Sequence, residues 1–258
     1  MTVAGTGDLT GRVALVTGAS GLIGRAVCRS LASAGARLVM QYRSNASGLD
    51  DLLAARGPDD AGHLTVRADF ATPQWNDTIA NALDRVGGAD ILVNVAHPAS
   101  GGAKVGDLDP TVLRAHFSAV VLHAELAALV LPAMREKRWG RIVYVAGALM
   151  ARPFAGMGAY GAAKAAGAVL TRYLAIEEGR EGITANIVAP GRVVDPDAVA
   201  PPLDAQWQAL SDRLLERAAL GTFASPTDVA EAVHSLVLPR ASALTGQTIW
   251  ITGGEPII

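Results

Sequence analysis

Tyr160 and Lys164 stand four residues apart in the segment GAYGAAKAAG, residues 158–167. On a helix that spacing puts both side chains on one face, where a phenol and an ammonium can address the same reacting group. A phenol titrating near ~10 is a weak base at neutral pH, and a neighbouring cation favours its anion. The pair is therefore expected to pass a proton to or from a substrate oxygen, with Lys164 depressing the phenol pKa. His97, after a β-branched run, and His116, in a helical stretch, are further candidates for proton transfer, because imidazole donates and accepts near neutrality. His63, His123 and His234 read as ordinary packing or surface residues. The dispersed histidines and the single cysteine offer no metal-ligand spacing.

A second constellation is TGASGLIG, residues 17–24, between a β-branched run and a helical one. Glycines at a strand-to-helix turn let backbone N–H groups approach a pyrophosphate, and the helix N-terminus adds a positive dipole. Gly18, Ser20, Gly21, Ile23 and Gly24 are the expected dinucleotide contacts. The next strand ends in QYRSN, residues 41–45, with no carboxylate to accept from an adenosine 2′-hydroxyl. Arg43 and Ser44 instead suit a 2′-phosphate, the guanidinium through its charged planar fork, so the expected cofactor is NADP(H).

Holding these residues requires a repeating scaffold, and short β-branched runs do alternate with Ala- and Leu-rich stretches at helical period. Strands are expected over 12–17, 36–42, 63–68, 90–96, 140–146, 182–189 and 247–252, and helices over 22–34, 74–86, 109–138, 158–180 and 226–238. The fold class is α/β: a doubly wound, seven-stranded parallel sheet in a Rossmann-like single domain over 1–258, without repeat or linker. Residues 193–226 break the pattern, with three prolines near the start and an amphipathic WQALSDRLLERA. They predict a loop and a short helix covering the ligand crevice.

Bulk properties narrow the partners. A formal net charge of −2 with scattered Lys and Arg gives no footprint for a nucleic-acid backbone. The lone cysteine, Cys28, fits a reducing compartment. The start, MTVAGTGDLTGR, lacks a signal-peptide pattern, and the apolar segment 119–134 is interrupted by His123 and Glu125 and is short for a bilayer. A cytoplasmic protein with no membrane partner is expected.

Taken together, the segments resemble the short-chain dehydrogenase/reductase family over residues 9–254. The resemblance rests on LTGRVALVTGASG, YRSN, RADF at 67–70, LPAMREKRWGRIVYVAG, YGAAK, GITANIVAPGRV and LTGQTIWITGG. It implies a nicotinamide-dependent enzyme for a small-molecule substrate, in which Tyr160 and Lys164 are catalytic and also touch the cofactor. It further implies Asp69 and Phe70 near the adenine, Asn94 and Ala96 near a ribose, and Pro190, Gly191 and Val193 completing the cofactor site. A homotetramer or homodimer built through the helices at 109–138 and 158–180 is implied as well.

The chain departs from the family at the chemistry. The serine position, thirteen residues before the tyrosine, is Gly147; the glycine after the fourth strand is His97. The helix asparagine aligns with His116, or with Ala119 at a three-residue offset, and the threonine after Pro-Gly is Asp195. A donor aimed at a developing oxyanion is worth about 10²–10³ in rate, so losing the hydroxyl matters. Two readings stay open. One is an NADP(H)-dependent oxidoreductase for a ketone and secondary alcohol, with His97 or His116 in the lost relay and a bulky, natural-product-like substrate in the space the serine leaves. The other is a non-redox member of the family (cyclase, isomerase or dehydratase) or a nucleotide-binding subunit without catalysis.

Overall fold

A computed structural model describes residues 8–54, 62–98, 102–196 and 205–255, with side chains omitted at 205–207 and 210. Seven parallel strands are present: β1 (Val13–Thr17), β2 (Arg37–Tyr42), β3 (Leu64–Arg67), β4 (Ile91–Asn94), β5 (Gly140–Val145), β6 (Ile183–Pro190) and β7 (Thr248–Ile251). They run in the order β3-β2-β1-β4-β5-β6-β7. The order reverses between β1 and β4, which pair from Ala14↔Ile91 to Thr17↔Asn94. Ligands of such sheets bind outside the strand C-termini at this switch. The expected fold class is the one observed.

Both faces of the sheet are covered, so the strands are apolar throughout instead of alternating with polar residues. Along β1, Ala14 and Val16 join the layer under helices α1 (Leu22–Ser33) and α7 (Pro226–Val237). Val13 and Leu15 join the opposite layer, under α3 (Trp75–Asp84), α4 (Pro110–Glu136) and α5 (Gly158–Glu178). Cys28 is buried in α1, and burial pushes its thiol up to about 12, leaving it inert near neutral pH.

Several boundaries differ from the sequence reading for identifiable reasons. β4 stops at Asn94, two residues early, because the N–H groups of Val95 and Ala96 donate to Thr17 Oγ1 at 3.1 Å each instead of to a ladder partner. α2 (Asp50–Ala54) was not anticipated; five residues are too few to show a helical period, although Leu49 and Leu52 seat the segment in the core. α4 begins where Asp109 accepts from Thr111 N at 2.8 Å, runs 27 residues, and by length and composition is long enough to cross a bilayer. The segment 119–134 understated it. In this fold His116, Leu122, Leu126 and Val130 on its inner side are buried. Within the expected excursion, α6 (Ala205–Arg217) and the capping box of Ser225 and Asp228 that opens α7 are present. Residues 197–204 lie outside the described residues.

Candidate active site

At the C-terminal ends of β1, β2 and β4 lies a cleft of about 700 Å³. Its floor is the glycine turn. Gly18 has φ +63°, and a Cβ there would come within 3.2 Å of the Ala96 backbone; at Gly24 a Cβ would run into the carbonyl of Gly18. Gly21 caps α1 without a side chain, leaving the first N–H groups of the helix to face the cleft. Ser20 and Ile23 line it too.

Gln41 holds this turn: its Oε1 accepts from Gly18 N at 2.8 Å and its Nε2 donates to Ala68 O at 2.6 Å. The sequence reading passed over Gln41. The signal was there, since an amide at the end of a buried apolar strand must find partners.

Arg43 and Ser44 form one wall, with Asp69 and Phe70 beside them, and Ala96 and His97 stand opposite. Asn94 does not line the cleft. It is 1 % exposed, its Oδ1 accepting from Thr17 Oγ1 at 2.8 Å and its Nδ2 facing His123 Nδ1 at 3.2 Å. Beyond β6, Gly191 N donates to Ile251 O at 2.9 Å, and Val193 bridges to Ala224.

The four residues expected to do chemistry do meet. His97 Nε2 and His116 Nδ1 are 3.0 Å apart. The two rings lie edge-on to Tyr160, at centroid distances of 5.1 Å and 6.1 Å. Lys164 is 3 % exposed, donates to Val145 O at 2.7 Å, and lies 5.8 Å from the Tyr160 ring. Of the two alignments of the helix asparagine, His116 supplies the polar atom, while Ala119 is only part of the cleft wall. At Gly147 a Cβ would lie 2.7 Å from Tyr160 Oη. The phenol has taken the room of the absent side chain, so that room is not extra pocket volume.

The electrostatics differ from the expectation. Burial raises Tyr160 to about 12 and lowers Lys164 to about 7, so burial outweighs the expected depression of the phenol by Lys164. Both groups have lost water, and each is pushed towards its neutral form. Burial, then the Lys164 charge, then His116 take His97 down to about 2; burial and Lys164 lower His116. The histidine pair is neutral near pH 7, one ring donating to the other. His97 Nδ1, buried, has no hydrogen-bond partner among the described residues.

His123 proves to be part of this framework. It is fully buried and brought to about 3 by burial and then by Lys164. Asn94 Nδ2 is a donor, so Nδ1 of His123 accepts and its Nε2–H donates to Thr171 Oγ1 at 3.0 Å. Thr171 Oγ1 in turn donates to Gly167 O at 2.8 Å.

The chain is similar to known proteins over nearly its whole length. Residues 18–255 match the family model described as enoyl-(acyl carrier protein) reductase. The 3-oxoacyl-(acyl-carrier-protein) reductase FabG of Vibrio cholerae is 33 % identical over 261 residues, spanning 97 % of this chain and 100 % of its own length. The cis-4-hydroxycyclohexanecarboxylate dehydrogenase of Sinomonas cyclohexanicum is 35 % identical, spanning 94 % of this chain and 96 % of its own. A short-chain dehydrogenase/reductase mutant from Serratia marcescens superposes with a TM-score of 0.82 at 28 % identity, covering 96 % of this chain and 98 % of that one. The chain belongs to the short-chain dehydrogenase/reductase family and is an oxidoreductase.

The neutral, buried His123 generates a pH prediction. Between its folded value of about 3 and its ordinary 6.5, the unfolded chain binds a proton that the folded chain refuses. Stability is therefore complete above pH 6.5 and falls as pH drops, by roughly 1.4 kcal/mol per unit for such a histidine. Urea unfolding at pH 7, 6, 5 and 4 will show this acid limb. His123→Gln will make it shallower by about 1.4 kcal/mol per pH unit; an unchanged slope would contradict the neutral assignment.

Proposed function

We propose that this oxidoreductase is NADP(H)-dependent and interconverts a ketone and a secondary alcohol on a small molecule, with Tyr160 passing the proton at the substrate oxygen. The observation that carries the reading is the joining, at His97, of the glycine-turn cleft to the Tyr160–Lys164 pair. The cleft fits the cofactor: Gly18 and Gly24 allow the tight turn that opens α1 at the cleft, and Arg43 and Ser44 suit a 2′-phosphate. When bound, NADP(H) supplies or accepts the hydride. Of the relatives, a 3-oxoacyl reductase and a 4-hydroxycyclohexanecarboxylate dehydrogenase are named for ketone/secondary alcohol couples.

In the reductive direction Tyr160 Oη gives its proton to the developing alkoxide, and the ammonium of Lys164 stabilises the phenolate left behind. No serine assists. His97 Nδ1, without a protein partner, is the polar atom left to meet the substrate or a water, and His116 behind it completes a neutral two-ring path for the proton. Because Tyr160 has moved into the Gly147 space, the case for a bulky, natural-product-like substrate rests on the parts of the pocket beyond that position.

The protein is further proposed to work in the cytoplasm, where its single thiol stays reduced, and as a homotetramer or homodimer. The outer faces of α4 and α5 expose Phe117, Val121, Val169, Tyr173 and Ile176, a group of apolar side chains suited to a second copy.

Three experiments test these statements. Titration with NADPH and NADH, followed by nicotinamide fluorescence, will show tighter NADPH binding, and Arg43→Ala will reduce that preference at least tenfold, as expected for an Arg–phosphate contact worth about 1.5–3 kcal/mol; equal binding of both cofactors by the wild type rejects the 2′-phosphate assignment. Tyr160→Phe will lower NADPH-linked ketone reduction by about 10²–10⁴ while leaving NADPH affinity nearly unchanged. Full turnover by that variant would remove Tyr160 as the proton donor. Sedimentation will report a dimer or tetramer that Ile176→Arg weakens; a wild-type monomer at micromolar concentration rejects the assembly.

A further inference from the structure

Tyr144, on β5, is 1 % exposed and lies beneath the catalytic helix. Its ring is 5.0 Å from Lys164 Nζ and 4.6 Å from the His123 ring. Its hydroxyl is buried without a hydrogen-bond partner among the described residues. A buried phenol retained for its hydroxyl would have that hydroxyl paired, because an orphan one destabilises the fold.

The ring has room only because α5 carries glycine at 167: a Cβ there would lie 2.5 Å from the phenol carbon and oxygen. Glycine inside a helix is itself less stable than alanine. Two unfavourable choices meet at one place, and together they put an aromatic face under a desolvated ammonium.

We propose that Tyr144 is a positioning residue of the reaction, its ring face, braced by His123 and admitted by Gly167, holding Lys164 charged beside Tyr160 where water cannot reach. A cation within ~6 Å of a ring centroid is attracted by the negative π face, most strongly when desolvated. The other groups around Lys164 do not substitute for it. Val145 O, also on β5, accepts one bond. His116 and His123 on α4 and His97 before it are neutral and feel the Lys164 charge as unfavourable. Tyr160, on the same helix, is held neutral by burial, and its ring, at 5.8 Å, is the more distant of the two aromatic faces. The inference rests on Lys164 serving the reaction, as proposed above.

The test is direct because the chain has only three lysines, Lys104, Lys137 and Lys164. Lysine labelled with ¹³C and ¹⁵N gives three side-chain signals, and the one missing from the Lys164→Arg protein is Lys164. Tyr144→Phe keeps the π face and is expected to leave its midpoint in place. Tyr144→3,4,5-trifluorophenylalanine keeps the shape but drains the face of negative charge, and is expected to lower the midpoint by on the order of one pH unit. NADPH-linked turnover, which needs the ammonium, is expected to lose its alkaline limb at correspondingly lower pH.

Equal midpoints for the two variants would overturn the proposal, as would a Phe variant that shifts as far as the fluorinated one. A midpoint that moves while the alkaline limb of turnover stays put would overturn the role in the reaction. Wild-type protein without NADPH-linked turnover would defeat the redox reading instead, and the lysine signals would still decide whether the ring holds the cation.

Discussion

Lys164 brings an ammonium into a position 3 % exposed, and much of the catalytic end follows from that. An ion stripped of water needs fixed dipoles or aromatic faces in its place, or it gives up its proton. Val145 O and the Tyr144 ring are what the structure provides, and they leave the lysine at about 7, poised instead of firmly charged. The same burial keeps Tyr160 protonated and the neighbouring imidazoles neutral. A site of this kind changes protonation state through small rearrangements, since each group sits away from its ordinary value for want of solvent.

Behind the lysine, a chain of hydrogen bonds ties the strand before the glycine turn to α5. It runs from Thr17 at the end of β1 through Asn94 on β4 and His123 on α4 to Thr171 and Gly167 on α5. Its members are buried and paired, which makes the chain directional and rigid. Only the strand order, with β1 beside β4, brings its ends within reach. The geometry of the cleft floor and that of the Tyr160 helix are therefore set by one network.

The departures from the family pattern form a set. With glycine at 147, the phenol occupies the position of the missing side chain. With histidine at 97, a ring packs edge-on to that phenol and pairs with His116. The site has exchanged a hydroxyl for two neutral imidazoles.

Patterns local in the chain were legible without coordinates. Seven strands and the long helices follow from periodicity, the cleft follows from glycines at a strand-to-helix turn, and the Tyr160–Lys164 pairing follows from i,i+4 spacing. His123 could not be read that way. A histidine amid apolar helical residues looks like packing until α4 lies against β4 and α5, and only then are its partners visible. Gln41 and Tyr144 were hidden similarly, as ordinary members of buried strands. The pKa order at the site was inverted for the same reason: spacing along a helix reports the distance between charges, but not how much water remains around them. Sequence alone determined the scaffold and which residues could react. Their protonation states, and the partners that set them, came from burial, which exists only once distant segments have packed together.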